Sequence, residues 1–105
     1  MRFIETPIFT AELRRHLNDD QYRDLQSALV ARPEAGPVLP GGAGLRKLRW
    51  QLPGRGKRGG LRVIYYWYTA EDLIYMLLIY SKSQQEDVTP RRLAILRQLI
   101  KENLQ

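Results

Sequence analysis

Two stretches rich in alternating or β-branched and aromatic residues, and a third following a three-residue turn, fill the middle of this chain. Residues 45–52 set Arg46, Leu48, Trp50 and Leu52 against Lys47, Arg49 and Gln51, the period-two pattern of a strand with one mostly apolar and one basic face. Residues 61–69 are mostly β-branched and aromatic, as expected of a strand covered on both faces. A glycine-rich basic turn at 53–60 separates these two, and Ala70, Glu71 and Asp72 lead into a third strand, Leu73–Ser81. Three consecutive strands on short connections form an antiparallel meander.

Helices flank it. Arg2–Glu5 is a short extended run stopped by Thr6-Pro7. Thr10 is placed to cap a short helix ending at His16, and a second helix starts at Asp19 or Asp20. Tyr22, Leu25 and Leu29 share its apolar face, and Pro33 stops it. Residues 37–44 read as a loop. Thr89-Pro90 is a cap followed by proline at the first helical position, opening an amphipathic helix through Leu93, Leu96, Leu99 or Ile100, and Leu104. The order β-α-α-β-β-β-α predicts an α+β fold: a twisted antiparallel sheet with helices packed on one face. A chain of 105 residues is expected to be one domain, and 44% hydrophobic content suffices for a core.

Charge is uneven. Between Ala35 and Ala70 there is no acidic residue, yet seven basic ones occur: Arg46, Lys47, Arg49, Arg55, Lys57, Arg58 and Arg62. The whole +6 excess therefore lies in the middle third, a focused field suited to a polyanion, nucleic acid before an acidic protein or a membrane surface. With no cysteine and one histidine, disulfides, thiolate chemistry and structural zinc are not expected, and no cofactor is called for. The apolar runs are too short for a membrane span, and the first residues lack the apolar core of a signal peptide, so a cytoplasmic protein is expected.

Gly54-Arg-Gly-Lys-Arg-Gly59 satisfies the G-x-G-x-x-G pattern, but a strand rather than a helix follows, so no pyrophosphate site is formed in the dinucleotide-fold manner. What remains is a hairpin whose Arg55, Lys57 and Arg58 can reach a phosphate backbone; the competing reading is a solvated turn. Arg62 shares a strand face with Ile64, Tyr66 and Tyr68, and a guanidinium there needs a partner or a groove. A phosphate-binding groove is favoured over an ion pair. Among the tyrosines, Tyr66 and Tyr80 are the candidates for stacking on a base, the others being expected in the core. His16 ends a helix far from the basic strands, and the acid pairs at 19–20, 71–72 and 86–87 fall at caps or turns, so neither a serine triad nor a carboxylate-pair hydrolase is indicated.

The stretches Gly44-Leu-Arg-Lys-Leu-Arg49, Gly56-Lys-Arg-Gly-Gly-Leu-Arg-Val-Ile-Tyr-Tyr-Trp67 and Leu78-Ile-Tyr-Ser-Lys82 resemble the RelE/ParE superfamily of type II toxins. The central segment is most similar to HigB-type toxins. The resemblance implies an mRNA interferase that cuts the codon in the ribosomal A site. It also implies a cognate helix-turn-helix antitoxin, through which alone operator DNA would be contacted. Such cleavage runs without metal when the ribose 2′-OH attacks the adjacent phosphorus and the protein supplies base, acid and cations.

Cations crowding a lysine favour its neutral form, which makes Lys57 the candidate base. By the resemblance, Arg62 would hold the scissile phosphate and Lys82 a flanking phosphate or the leaving group. Arg46, Lys47, Arg49, Arg55, Arg58, Tyr66 and Tyr80 would bind RNA. Ser83 and Thr89 stand where vigorous members carry arginine and tyrosine, which leaves the general acid unassigned. The alternatives are a ParE-like inhibitor that binds DNA gyrase without catalysis and a non-catalytic RNA-binding module.

Overall fold

A computed structural model describes residues 1–52, 60–83 and 88–103. Its elements run β1 (Arg2–Glu5), α1 (Pro7–His16), α2 (Asp19–Ala31), β2 (Arg46–Trp50), β3 (Leu61–Tyr68), β4 (Leu73–Ser81) and α3 (Pro90–Asn103). The α+β class and the element order are as the sequence implies.

Local chemistry sets the helix ends. Thr6, not Thr10, caps α1: its Oγ1 accepts from Phe9 N–H at 3.0 Å, and Pro7 opens the helix where no N–H is needed. Thr10 instead lies inside α1 and donates to Glu5 Oε1 at 2.6 Å. Asn18 and Gln21 form a reciprocal capping box at the start of α2, with Asp19 and Asp20 in its first turn. At α3, Thr89 Oγ1 accepts from Arg92 N–H at 3.1 Å, the cap its sequence announces.

The meander forms as β2–β3 and β3–β4 antiparallel pairs, with a bulge opposite Ile64/Tyr65. Two features depart from the expected arrangement. The sheet, in the order β1-β4-β3-β2, is mixed because β1 runs parallel to β4. A parallel neighbour requires a long crossover, which α1, α2 and the following strands provide. Thr6 fixes the junction, its N–H donating to Met76 O at 3.0 Å and its hydroxyl to Leu77 O at 2.8 Å.

The helices also divide between the two faces. α1 and α2 cover Val63, Tyr65 and Ile79 with Phe9, Leu25 and Leu29. α3 covers Ile64, Leu78 and Tyr80 on the other side with Leu96 and Ile100. The central strands are apolar on both faces, so one helical layer would leave three large side chains in water, at about 2 kcal/mol each.

The loop after α2 is held from the sheet. Tyr65, fully buried, donates to Pro33 O at 2.7 Å and accepts from Gly36 N–H at 2.9 Å. Gly36 is required here, since a Cβ would stand 2.9 Å from the Tyr65 ring and 3.0 Å from the β2 backbone. Burial, ahead of any charge, drives the Tyr65 phenol upward from its ordinary pKa.

Candidate functional site

Strand register decides which cations meet. In the β2–β3 ladder Lys47 lies opposite Ile64 and Arg49 opposite Arg62, so Lys47 and Arg49 project from the same sheet face as Arg62. Arg62 in turn faces Tyr80 across β4. Beyond the end of β4, Lys82 N–H reaches Gly60 O at 3.4 Å, which closes the base of the hairpin and brings Lys82 beside Arg62.

The result is a cleft of about 220 Å³ lined by Arg49, Trp50, Gln51, Gly60, Arg62 and Lys82. No carboxylate is among these lining residues. Arg62 is half-buried, and its Nη1 donates to Leu61 O at 3.3 Å. Among the described residues, Arg49, Arg62 and Lys82 make no ion pair. Two guanidiniums opposed in one ladder repel each other, a modest cost that a bound anion removes. The same fork geometry suits bidentate contact with a phosphodiester.

The remaining expected residues fall in different places. Lys57, Arg55 and Arg58 lie outside the described residues. Arg46 projects away from the cleft, and its Nη1 donates to Gly36 O at 2.9 Å and Glu34 O at 3.3 Å, so it fastens the loop after α2. Tyr80 is only 3% exposed, its ring packed in the α3-side core, and it offers no face to a base. Tyr66 is half-buried on the cleft face of the sheet, packed over Gly44, where φ is +95° and a Cβ would stand 2.9 Å from the ring.

Trp50 and Gln51 were missed by sequence reasoning, although both directly follow Arg49 at the open end of β2, where a strand's last residues border the mouth of a cleft. Among the described residues no three His, Asp or Glu side chains group as metal ligands. Arg49, Arg62 and Lys82 give the cleft three cations with which a polyanion can be held and oriented.

A family model described as the RelE toxin of the RelE/RelB toxin–antitoxin system matches residues 1–105. The chain belongs to the RelE toxin family. A RelE-family toxin is the toxic half of a toxin–antitoxin pair and has an antitoxin as its partner. In this RelE-family chain the cationic cleft occupies one end of the meander, and no helix of the described residues is long and apolar enough to cross a membrane.

Proposed function

We propose that this toxin is a ribosome-dependent mRNA endoribonuclease that acts in the cytoplasm and stops translation. The observation that supports this reading is the cleft in which Arg49, Arg62 and Lys82 converge, with no lining carboxylate and no ion-pair partner among the described residues.

The chemistry follows from RNA itself. The 2′-OH loses its proton to a base as its oxygen bonds to phosphorus, and the bond from phosphorus to the 5′-oxygen breaks as that oxygen gains a proton. The products are a 2′,3′-cyclic phosphate and a 5′-hydroxyl. Between them lies a phosphorane with added negative charge, and cations fixed in advance stabilise it more than they stabilise the substrate. Arg62 is assigned to the scissile phosphate and Lys82 to a flanking phosphate or the leaving oxygen. Lys57 is assigned as the base, and Arg49 and Lys47 extend the track for the backbone. The ribosome supplies the A-site codon in a fixed pose, and the proton for the leaving 5′-oxygen comes from Lys82 or from water, Ser83 and Thr89 standing where vigorous members carry arginine and tyrosine. The antitoxin is a helix-turn-helix protein, and operator DNA is contacted through it.

The test is induction of the toxin without its antitoxin, followed by mapping of transcript 5′ ends. Cuts within translated codons are expected, and they disappear with Arg62→Ala. Growth arrest with intact transcripts and damaged DNA would overturn the assignment in favour of gyrase inhibition. RNA binding without growth arrest would also overturn it.

A further inference from the structure

Of the side chains around the cationic cleft, that of Gln51 has no part in the chemistry assigned above. Arg49, Arg62 and Lys82 are donors alone, and their charges hold a phosphate whatever base it carries. Such contacts fix a strand without reading it. Among the described residues that line the cleft, Gln51 is the one whose side chain has both a donor and an acceptor, set side by side on a neutral amide.

The surroundings leave that amide open. Gln51 is exposed, and among the described residues its side chain has no hydrogen-bond partner. It continues the alternation of β2, which returns it to the side of Arg49. Trp50 pairs with Leu61, so one step further the residue across the hairpin from Gln51 is Gly60, which has no side chain to fill the space. Gly60 is fixed there, its carbonyl accepting from the Lys82 N–H at 3.4 Å. At about 220 Å³ the cleft is smaller than pockets for drug-sized ligands, which run to roughly 300–1,000 Å³, and it suits one nucleotide of a single strand.

We infer that Gln51 determines which base the cleft accepts, and that this base is adenine. The inference rests on the reading of the cleft as an RNA site and names what that site selects. The phosphate goes to the cations, and the base enters the gap between Gln51 and Gly60. A base unstacked from single-stranded RNA shows its Hoogsteen edge. On that edge adenine sets the N6 donor beside the N7 acceptor, and an amide meets both. Guanine sets two acceptors there, O6 and N7, and leaves the amide oxygen without a donor. Cytosine and uracil each present a single polar group on the same edge. Arginine is the side chain that pairs with O6 and N7 of guanine together, so Gln51→Arg has an expected direction, from adenine to guanine.

The experiment compares the toxin with its Gln51→Ala and Gln51→Arg variants in two assays. In the first, each protein is induced without antitoxin and transcript 5′ ends are mapped. Cuts by the parent are expected to carry adenine about 10-fold more often than guanine at one position beside the broken bond. Gln51→Ala should lose that preference and Gln51→Arg should reverse it. In the second assay, RNA hexanucleotides with one variable base and 2′-O-methyl riboses, which block attack, are titrated into the purified proteins and followed by fluorescence anisotropy. The affinities should show the same order and the same two changes. Urea unfolding of both variants should match the parent, because the replaced side chain is exposed and holds nothing.

Cuts with one base profile in all three proteins overturn the inference and leave the cleavage assignment standing. A parent that prefers guanine or a pyrimidine overturns it as well. Intact transcripts, together with base-dependent binding that follows residue 51, overturn the cleavage assignment and leave this one. The absence of both cutting and base-dependent binding overturns both.

Discussion

Arg49 and Arg62 stand directly opposite each other in the β2–β3 ladder, two guanidinium side chains on one face of the sheet. Opposed like charges in a ladder cost about 0.2–1 kcal/mol relative to a neutral pair. A fold built for stability alone has no use for such a pair, whereas a site for a polyanion does.

The first prediction concerns that pair. Arg62→Gln removes the charge and leaves a shorter polar side chain, so the folded state should be unchanged or more stable by up to about 1 kcal/mol in urea unfolding. Transcript cleavage should fall about 100-fold, the loss typical of removing one fixed stabiliser of transition-state charge. Destabilisation of the variant with cleavage intact would show that Arg62 serves the sheet and not the reaction.

Arg46 should behave in the opposite way, although it is also basic and lies on the same strand as Arg49. Its two hydrogen bonds hold the carbonyls of Glu34 and Gly36, so Arg46→Ala should cost about 1–2 kcal/mol of stability. The salt dependence of RNA binding should not change with it. For Arg49→Ala and Lys82→Ala the logarithmic salt slope should each time shrink by about 0.7, the value per phosphate contact on a single strand. An Arg46→Ala slope as reduced as these would place Arg46 on the RNA.

Thr6 joins helix cap and sheet in one hydroxyl. Thr6→Ala removes the acceptor for Phe9 N–H and the donor to Leu77 O, so the expected loss is about 2–3 kcal/mol, more than a cap alone. Thr6→Ser retains both bonds and should lie within about 0.5 kcal/mol of the parent. Equal losses in the two variants would indicate that the methyl group, not the hydroxyl, secures the junction.

The strands of the meander and the cap at Thr89 were legible because each is written within a few neighbouring residues. Alternation even separates Arg46 from Lys47 and Arg49, since it puts Arg46 with Leu48 and Trp50. What was not legible depends on distant partners. Whether Arg49 shares a face with Arg62 follows from register across the hairpin, and one residue of slip would reverse it. The parallel seat of β1 against β4 pairs Arg2 with Leu73, for which no local pattern exists. Thr6, and not Thr10, caps α1, and Thr6-Pro7 carries the same cap-and-proline signature as Thr89-Pro90. Tyr80 is closed to a base by α3, which covers its side of the sheet, and no residue near Tyr80 in sequence announces that cover.

Two phenols, Tyr65 buried and Tyr22 half-buried, should limit the toxin at high pH. Burial raises the pKa of both Tyr22 and Tyr65, and for Tyr22 the Glu5 carboxylate, which accepts its hydroxyl at 2.7 Å, raises it further. In the unfolded chain both ionise near pH 10. Above that pH the unfolded state binds fewer protons than the folded state, so stability falls as pH rises; below it the contribution is complete. Alkaline titration followed by the tyrosinate absorbance band and by circular dichroism should show part of the band appearing only with loss of structure. Tyr22→Phe and Tyr65→Phe should each reduce that late component by one residue's share. If instead the whole band develops near pH 10 with the structure intact, neither hydroxyl is held as its hydrogen bonds to Glu5 and Pro33 require.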